Sequence, residues 1–249
     1  MSRSNPHEGV QNPATRYFKW NGENGIIQYY DRDAKENVDV GSDFKFLLLD
    51  QLGTVRGWHD ASQSGIWSNE VKDTRADVMI VKAFKGGELA SGLYKDIKDR
   101  VNAQGGRFNA SCYIAYKGDS GLSIGCLLLK GAALSAWMEF TKANRTDLLK
   151  KAVRIHGSTE GKKGRITFHA PVFKVVDTSE ETNAAATALD IELQAFLSAY
   201  FKKNKKEQVA APPAHVRDED VMDDEDTITP RTAPTDYIAE AIDDSDIPF

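Results

Sequence analysis

In the segment RFNASCYIAYK (107–117), Arg107, Tyr113 and Lys117 occupy alternate positions, so on an extended strand all three project from one face. Phe108, Ala110, Cys112, Ile114 and Tyr116 then project from the other and suit a core. Rings and cations mixed on one sheet face are what a single nucleic-acid strand needs. Rings stack on bases, at about 1 to 3 kcal/mol per base, and cations meet phosphates. The same mixture recurs in RYFKW (16–20), which supplies Lys19, and in VKAFKGG (81–87), which supplies Lys82. It recurs again in VRGWHDASQSGIWSNEVKDTR (55–75), which supplies Trp58 and Trp67. Tryptophan is costly to expose, and that stretch, rich in Gly, Ser and Asn, reads as a loop. One of its two tryptophans is expected to meet a ligand and the other to anchor the loop. A partly exposed sheet face with ordinary solubilising residues gives the same pattern. EGKKGR (160–165) reads as a basic hairpin tip suited to phosphates, or as a solvated turn.

Catalytic spacings are scarcer. Counting a phosphate loop from Gly157 puts Lys162 where the second glycine must stand, so that reading fails. The histidines His7, His59, His156, His169 and His215 show no metal-binding spacing. His156 and His169 are expected to face each other across a hairpin, which leaves a paired site open beside ordinary strand histidines. Asp96-Ile97-Lys98 has the carboxylate-x-lysine form used by metal-dependent nucleases, but it falls in an amphipathic helix where both charges read as surface groups. Cys112 and Cys126 sit in apolar runs and read as reduced core thiols rather than zinc ligands. The expectation is a protein without catalysis, metal or cofactor, with a metal-dependent nuclease as the remote alternative.

The elements that position these residues are mostly strands. FKFLLLD (44–50), RADVMIVKAF (75–84), RFNASCYIAYK (107–117), LSIGCLLLK (122–130) and RITFHAPVFKVVD (165–177) are apolar or alternating runs bounded by Gly, Asp and Asn. GDSG (118–121) reads as the turn joining the third to the fourth. Five strands with a hairpin suggest a small closed barrel, a mainly β fold with added helices. Helices are expected over 93–106, over 132–142 and, longest, over 182–206, where Leu189, Leu193, Phe196, Leu197 and Tyr200 form an apolar face. Residues 1–15 read as a flexible arm, 16–206 as the globular domain and 207–249 as a disordered acidic tail.

The charge is divided along the chain. Past residue 210, twelve acids face two bases, so that segment carries a formal −10 of the total −5 and leaves +5 on residues 1–210. A basic body with an acidic tail points to a polyanionic ligand for which the tail can compete. No apolar run is long enough to span a membrane, and the N-terminal residues have no secretory pattern, so a cytoplasmic protein with no membrane partner is expected.

The last residues, DDSDIPF, combine delocalised negative charge, the fixed φ of Pro248, the ring of Phe249 and a carboxylate, four elements that an apolar pocket rimmed with arginine can read. Asp244, Asp246, Ile247, Pro248 and Phe249 closely resemble the tip of bacterial single-stranded DNA-binding proteins, whose flexible acidic tail recruits replication and repair partners. The body is longer than in that family. Through SGIWSNEVKD (64–73) and GKKGRITFHAPVF (161–173) it looks more like the single-stranded DNA-binding proteins of tailed bacteriophages. The resemblance implies an oligonucleotide-binding (OB) fold, that is a five-stranded Greek-key barrel, and a replication or recombination role in a bacterial host cytoplasm. The expected state is a monomer or homodimer. Single-stranded DNA would lie on Arg107, Tyr113, Lys117, Lys82 and Trp58, with Trp67 and Lys19 as secondary contacts. Host or phage replication and repair proteins would take the tip. A protein-interaction adaptor and a recombination mediator are the alternatives.

Overall fold

The computed structural model describes residues 11–210. The start of the expected arm and, from residue 211, the expected disordered tail with its tip lie outside the described residues; residues 207–210, expected in that tail, are helical instead.

The spine is β4 (Asp43–His59), 17 residues long. A bulge between Leu48 and Asp50 reverses its alternation, so Phe44 and Phe46 before it and Val55 after it reach the same core. One edge of β4 pairs antiparallel with β8 (Gly106–Gly118). The other edge is shared. β10 (Ala152–Lys163) takes its first residues, from Asp43 to Phe46, and β5 (Ser64–Ser68) takes its last, from Arg56 to His59.

The sheet extends from these partners. β6 (Met79–Ala83) and β7 (Gly87–Gly92) follow β5, and β11 (Ile166–Val176) follows β10. β9 (Gly121–Leu129) pairs with β8 and runs parallel to β1 (Arg16–Asn21), which leads to β2 (Ile26–Asp31) and β3 (Glu36–Gly41).

One face of this sheet encloses the main core, to which Phe18, Phe46, Ile66, Val81, Ile114, Leu127 and Phe173 all contribute. Helix α1 (Tyr94–Ala103) adds Ile97 and Val101. Helix α2 (Gly131–Asn144) inserts Trp137, which is fully buried, meets the Phe173 ring edge-on at 5.0 Å and donates its indole N–H to Gln51 Oε1 at 2.8 Å. The opposite face is partly covered by α3 (Glu180–Ala210). Leu193 and Leu197, one turn apart, are fully buried there against Leu52, Tyr113, Ile124 and Cys126. Each such leucine contributes about 1.5 to 3 kcal/mol by leaving water. The Gln194 amide adds a hydrogen bond to Asp50 Oδ2 at 2.9 Å.

The fold is thus mainly β with three α-helices among the described residues, the last of them long. All five expected strands, the 118–121 turn and the three expected helices are present. The sheet is larger than the five strands suggested, with eleven among the described residues, and it is not closed. β1, β2 and β3 are short and broken by Asn, Asp and Gly, and β5 and β7 are five and six residues long. Each is stabilised by pairing with its neighbouring strands rather than by its own pattern. The stretch read as a loop around Trp58 and Trp67 is the β4–β5 hairpin, turned by Gln63 at φ 47°. The expected arm is tethered before its end: the Thr15 N–H donates to Ile124 O at 2.8 Å. No helix among the described residues is long and apolar enough to cross a membrane.

Candidate nucleic-acid interface

Strand register assembles a row that the sequence order hides. Arg107 of β8 lies opposite Arg56 of β4, Arg56 opposite Trp67 of β5, and Trp67 opposite Lys82 of β6. Residues directly opposite one another share a sheet face, so three cations and a ring stand side by side across four strands, over about 14 Å. The next row along holds Trp58, Gly65 and Phe84: Trp58 is opposite Gly65, and the Phe84 N–H donates to Gly65 O at 3.0 Å.

The rings of these two rows are open to solvent. Trp58 is 53% exposed, Trp67 41% and Phe84 81%. Between Trp58 and Phe84 there is a gap, because a Cβ at Gly65 would meet no atom within 4 Å. Arg56, Trp67, Phe84 and Lys85 border an open pocket there of about 410 Å³, within the usual range of ligand sites. The Lys82 ammonium lies 6.0 Å from the centre of the Trp67 ring, at the outer reach of a cation–π contact. Arg107 is half-buried and spends donors on Asn102 O at 2.8 Å and Gly106 O at 2.6 Å, which fixes its guanidinium at the end of the row.

Tyr113 does not belong to this surface. Alternation along β8 separates two faces, but α3 covers the one taken for solvent, and residues 109–116 are all buried. The Tyr113 hydroxyl donates to Glu70 Oε2 at 2.8 Å and accepts from the Asn12 amide at 3.3 Å. Burial, with the Glu70 charge beside it, pushes the phenol far above its ordinary pKa. It can neither stack on a base nor reach a phosphate.

Lys117 and Lys19 are exposed but remote. Lys117 stands at the other end of β8, ten residues or about 33 Å of strand from Arg107. Lys19 lies on β1, beyond β9 and β8, with its ammonium donating to Asn37 Oδ1 at 2.8 Å. Of the seven residues expected on the strand-binding face, Arg107, Trp58, Trp67 and Lys82 come together. Asp244, Asp246, Ile247, Pro248 and Phe249 lie outside the described residues.

The expected contacts omit Arg56, Gly65 and Phe84, although all three lie in the mixed stretches 55–75 and 81–87. Arg56 and Trp58 have the same parity on β4, and Phe84 follows Lys82 by two residues, but only the register makes Gly65 the gap between two rings. Glu70 was also invisible. Its carboxylate accepts from the Ser111 and Tyr113 hydroxyls, and its N–H donates to the Tyr200 hydroxyl of α3 at 2.8 Å. This one residue ties the end of α3 to the sheet beside the row. The Lys72 ammonium, 5.2 Å from the centre of the Phe201 ring, extends that contact. Leu52 and Arg56 share a face of β4, so α3 lies on the side of the sheet that carries the row, and residues 211–249 continue from its end.

The remaining candidates stay apart. His169 pairs with Glu160 and His156 with Asp43, so the two histidines do not face each other. Asp96 is exposed in the first turn of α1. Among the described residues no three His, Cys, Asp or Glu side chains gather as metal ligands. Cys112 and Cys126 are free, buried and directed to opposite faces. Burial pushes both thiols up, Cys126 to about 12. Comparison with protein-family models, with curated proteins and with solved structures found no match to this chain.

Proposed function

We propose that the chain is a single-stranded DNA-binding protein and that the Arg107–Arg56–Trp67–Lys82 row, with Trp58 and Phe84 beside it, is its strand-binding face. One observation carries the reading: cations and exposed rings from four strands share one face, with open space above Gly65 between two of the rings. Bases would stack on Trp58, Trp67 and Phe84, while Arg56, Lys82 and Lys85 take phosphates on either side. Stacking is indifferent to sequence because every base has a π face, which suits coating rather than readout.

The finer assignments rest on the resemblance. The open sheet is read as an elaborated OB barrel of the phage type, and the acidic residues 211–249 as a tail that covers the cationic row at rest. DNA would displace it and free Asp244, Asp246, Ile247, Pro248 and Phe249 to recruit replication or repair proteins. The role would be protective and non-catalytic, in replication or recombination.

The test is tryptophan emission titrated with oligothymidylate and with a matched duplex at two salt concentrations. Trp20 and Trp137 are buried, so a ligand-dependent change reports Trp58 and Trp67. Saturable quenching by the single strand that weakens with salt is expected. No response to either ligand would overturn the reading and leave a protein-interaction adaptor.

A further inference from the structure

The β10–β11 hairpin continues well past the sheet that supports it. β4 pairs with β10 only as far as His156. Beyond the Gly157 bulge the two strands pair with each other alone, from Ser158↔Pro171 to Lys163↔Ile166. The β1–β2 turn holds the root of this extension: the His169 N–H donates to Gly22 O at 2.7 Å and the Trp20 indole donates to His169 O at 2.8 Å. None of residues 157–170 is buried, so the outer strands add nothing to either core.

The projection is nonetheless built to stay straight. Phe168 packs the tip of its ring against Gly161, where a Cβ would come within 2.5 Å of it, and Gly164 takes φ 58° to close a tight turn. The turn gathers Lys162, Lys163 and Arg165 within four residues. The acid of the tip, Glu160, is 3.8 Å from Lys162. Ile166, 45% exposed, is paired opposite Lys163. A two-stranded ribbon is marginal in water by itself, and clustering like charges at its tip destabilises it further. A polyanion removes that repulsion, and a two-stranded ribbon is of a width that B-form grooves admit.

Given the nucleic-acid reading above, on which this rests, we infer that the ribbon tip is a second phosphate-binding contact, separate from the aromatic row. The two lie at opposite ends of β4: the ribbon leaves it at Asp43 and the row crosses it at Arg56, about 43 Å of strand further on. A short oligonucleotide then engages the row alone. A longer strand, or a duplex joined to the bound strand, also engages Lys162, Lys163 and Arg165.

The full chain and a combined Lys162→Gln, Lys163→Gln, Arg165→Gln variant are compared by anisotropy on three ligands. These are an oligothymidylate of about 6 nucleotides, one of about 30, and the short one joined to a duplex. Equal affinity for the short ligand is expected. Three lost phosphate contacts lower the salt slope by about 2 on a single strand and about 2.7 on duplex. Raising salt fourfold therefore weakens the parent about 20-fold more than the variant on the long strand, or about 40-fold more on the joined duplex. An effect on either ligand supports the contact and names its source. Equal slopes on both overturn it. Arg165→Gln alone, with a slope change of about 0.7 to 0.9, provides a second reading should the triple variant fold poorly. Failure of the parent to bind the short ligand defeats the proposed function instead, since the ribbon is judged only by the difference between variant and parent.

Discussion

Replacing Trp67 by alanine removes the ring at the centre of the row while leaving its neighbours in place. Trp67 lies between Arg56 and Lys82, so a base stacked on it has a cation on each side for the flanking phosphates. Stacking on one ring is worth about 1 to 3 kcal/mol. At about 1.4 kcal/mol per tenfold, Trp67→Ala should raise the dissociation constant between about 5-fold and 150-fold. Trp67→Phe, which keeps a stacking face, should lose less. The ring is 41% exposed, so its removal forfeits some packing against β4 and β6, a stability cost of about 1 kcal/mol. Anisotropy of a labelled oligothymidylate is the proper assay, because the variant lacks one of the intrinsic reporters. Trp137→Phe serves as the contrast: Trp137 is fully buried and bonded to Gln51, so its loss should lower stability and leave the affinity of the folded protein alone. A Trp67→Ala protein that binds within twofold of the parent would refute the assignment of this row.

Gly65→Leu should fold normally, since nothing lies within 4 Å of the new Cβ, yet fill the gap between Trp58 and Phe84 and weaken binding about tenfold. Gly57→Ala, whose Cβ would fall 2.1 Å from Gly105 O, should instead lower the melting temperature sharply. Tyr113→Phe takes one of two hydroxyl donors from Glu70 and should cost about 1 to 3 kcal/mol in urea denaturation with affinity unchanged; reduced affinity in the folded variant would mean that the phenol meets the ligand. Alkali should destabilise the fold. Cys126, pushed up to about 12, and Cys112 keep their protons in the folded state while the unfolded chain releases them near 9. Their contribution is complete below about pH 9 and lost as pH rises from there towards 12, so scanning fluorimetry should show a decline that Cys126→Ala lessens. Deleting residues 211–249, which carry a formal −10, should tighten binding at low salt; unchanged affinity would defeat the competition model.

Alternation and local apolar content made β4, β6, β8, β9 and β11 legible, because each carries enough of its own burial to declare itself. β2 and β3 did not, since IIQYYD and ENVDVG acquire their stability from pairing across the sheet. Tyr113 shows a second limit. Period two says which residues share a face, not which face is wet, and the apolar stripe of α3 that covers this one begins some 70 residues later. The row shows a third. Arg56, Trp67, Lys82 and Arg107 are spread over 52 positions, and their being neighbours depends on the register of three strand pairs. Trp58, Trp67 and Lys82 could be selected by residue type alone, since rings and cations outside apolar patterns are conspicuous. Gly65 could not, because its contribution is the space above it.

The most direct test of the strand-binding face is to photocross-link the full chain to a short oligothymidylate of about 6 nucleotides and map the adducts by mass spectrometry. Adducts confined to Trp58, Trp67, Phe84 and their immediate neighbours are predicted. Adducts concentrated at Tyr17 and Tyr30, on the far wing of the sheet, with none at the row, would contradict the placement of the strand across β8, β4, β5 and β6.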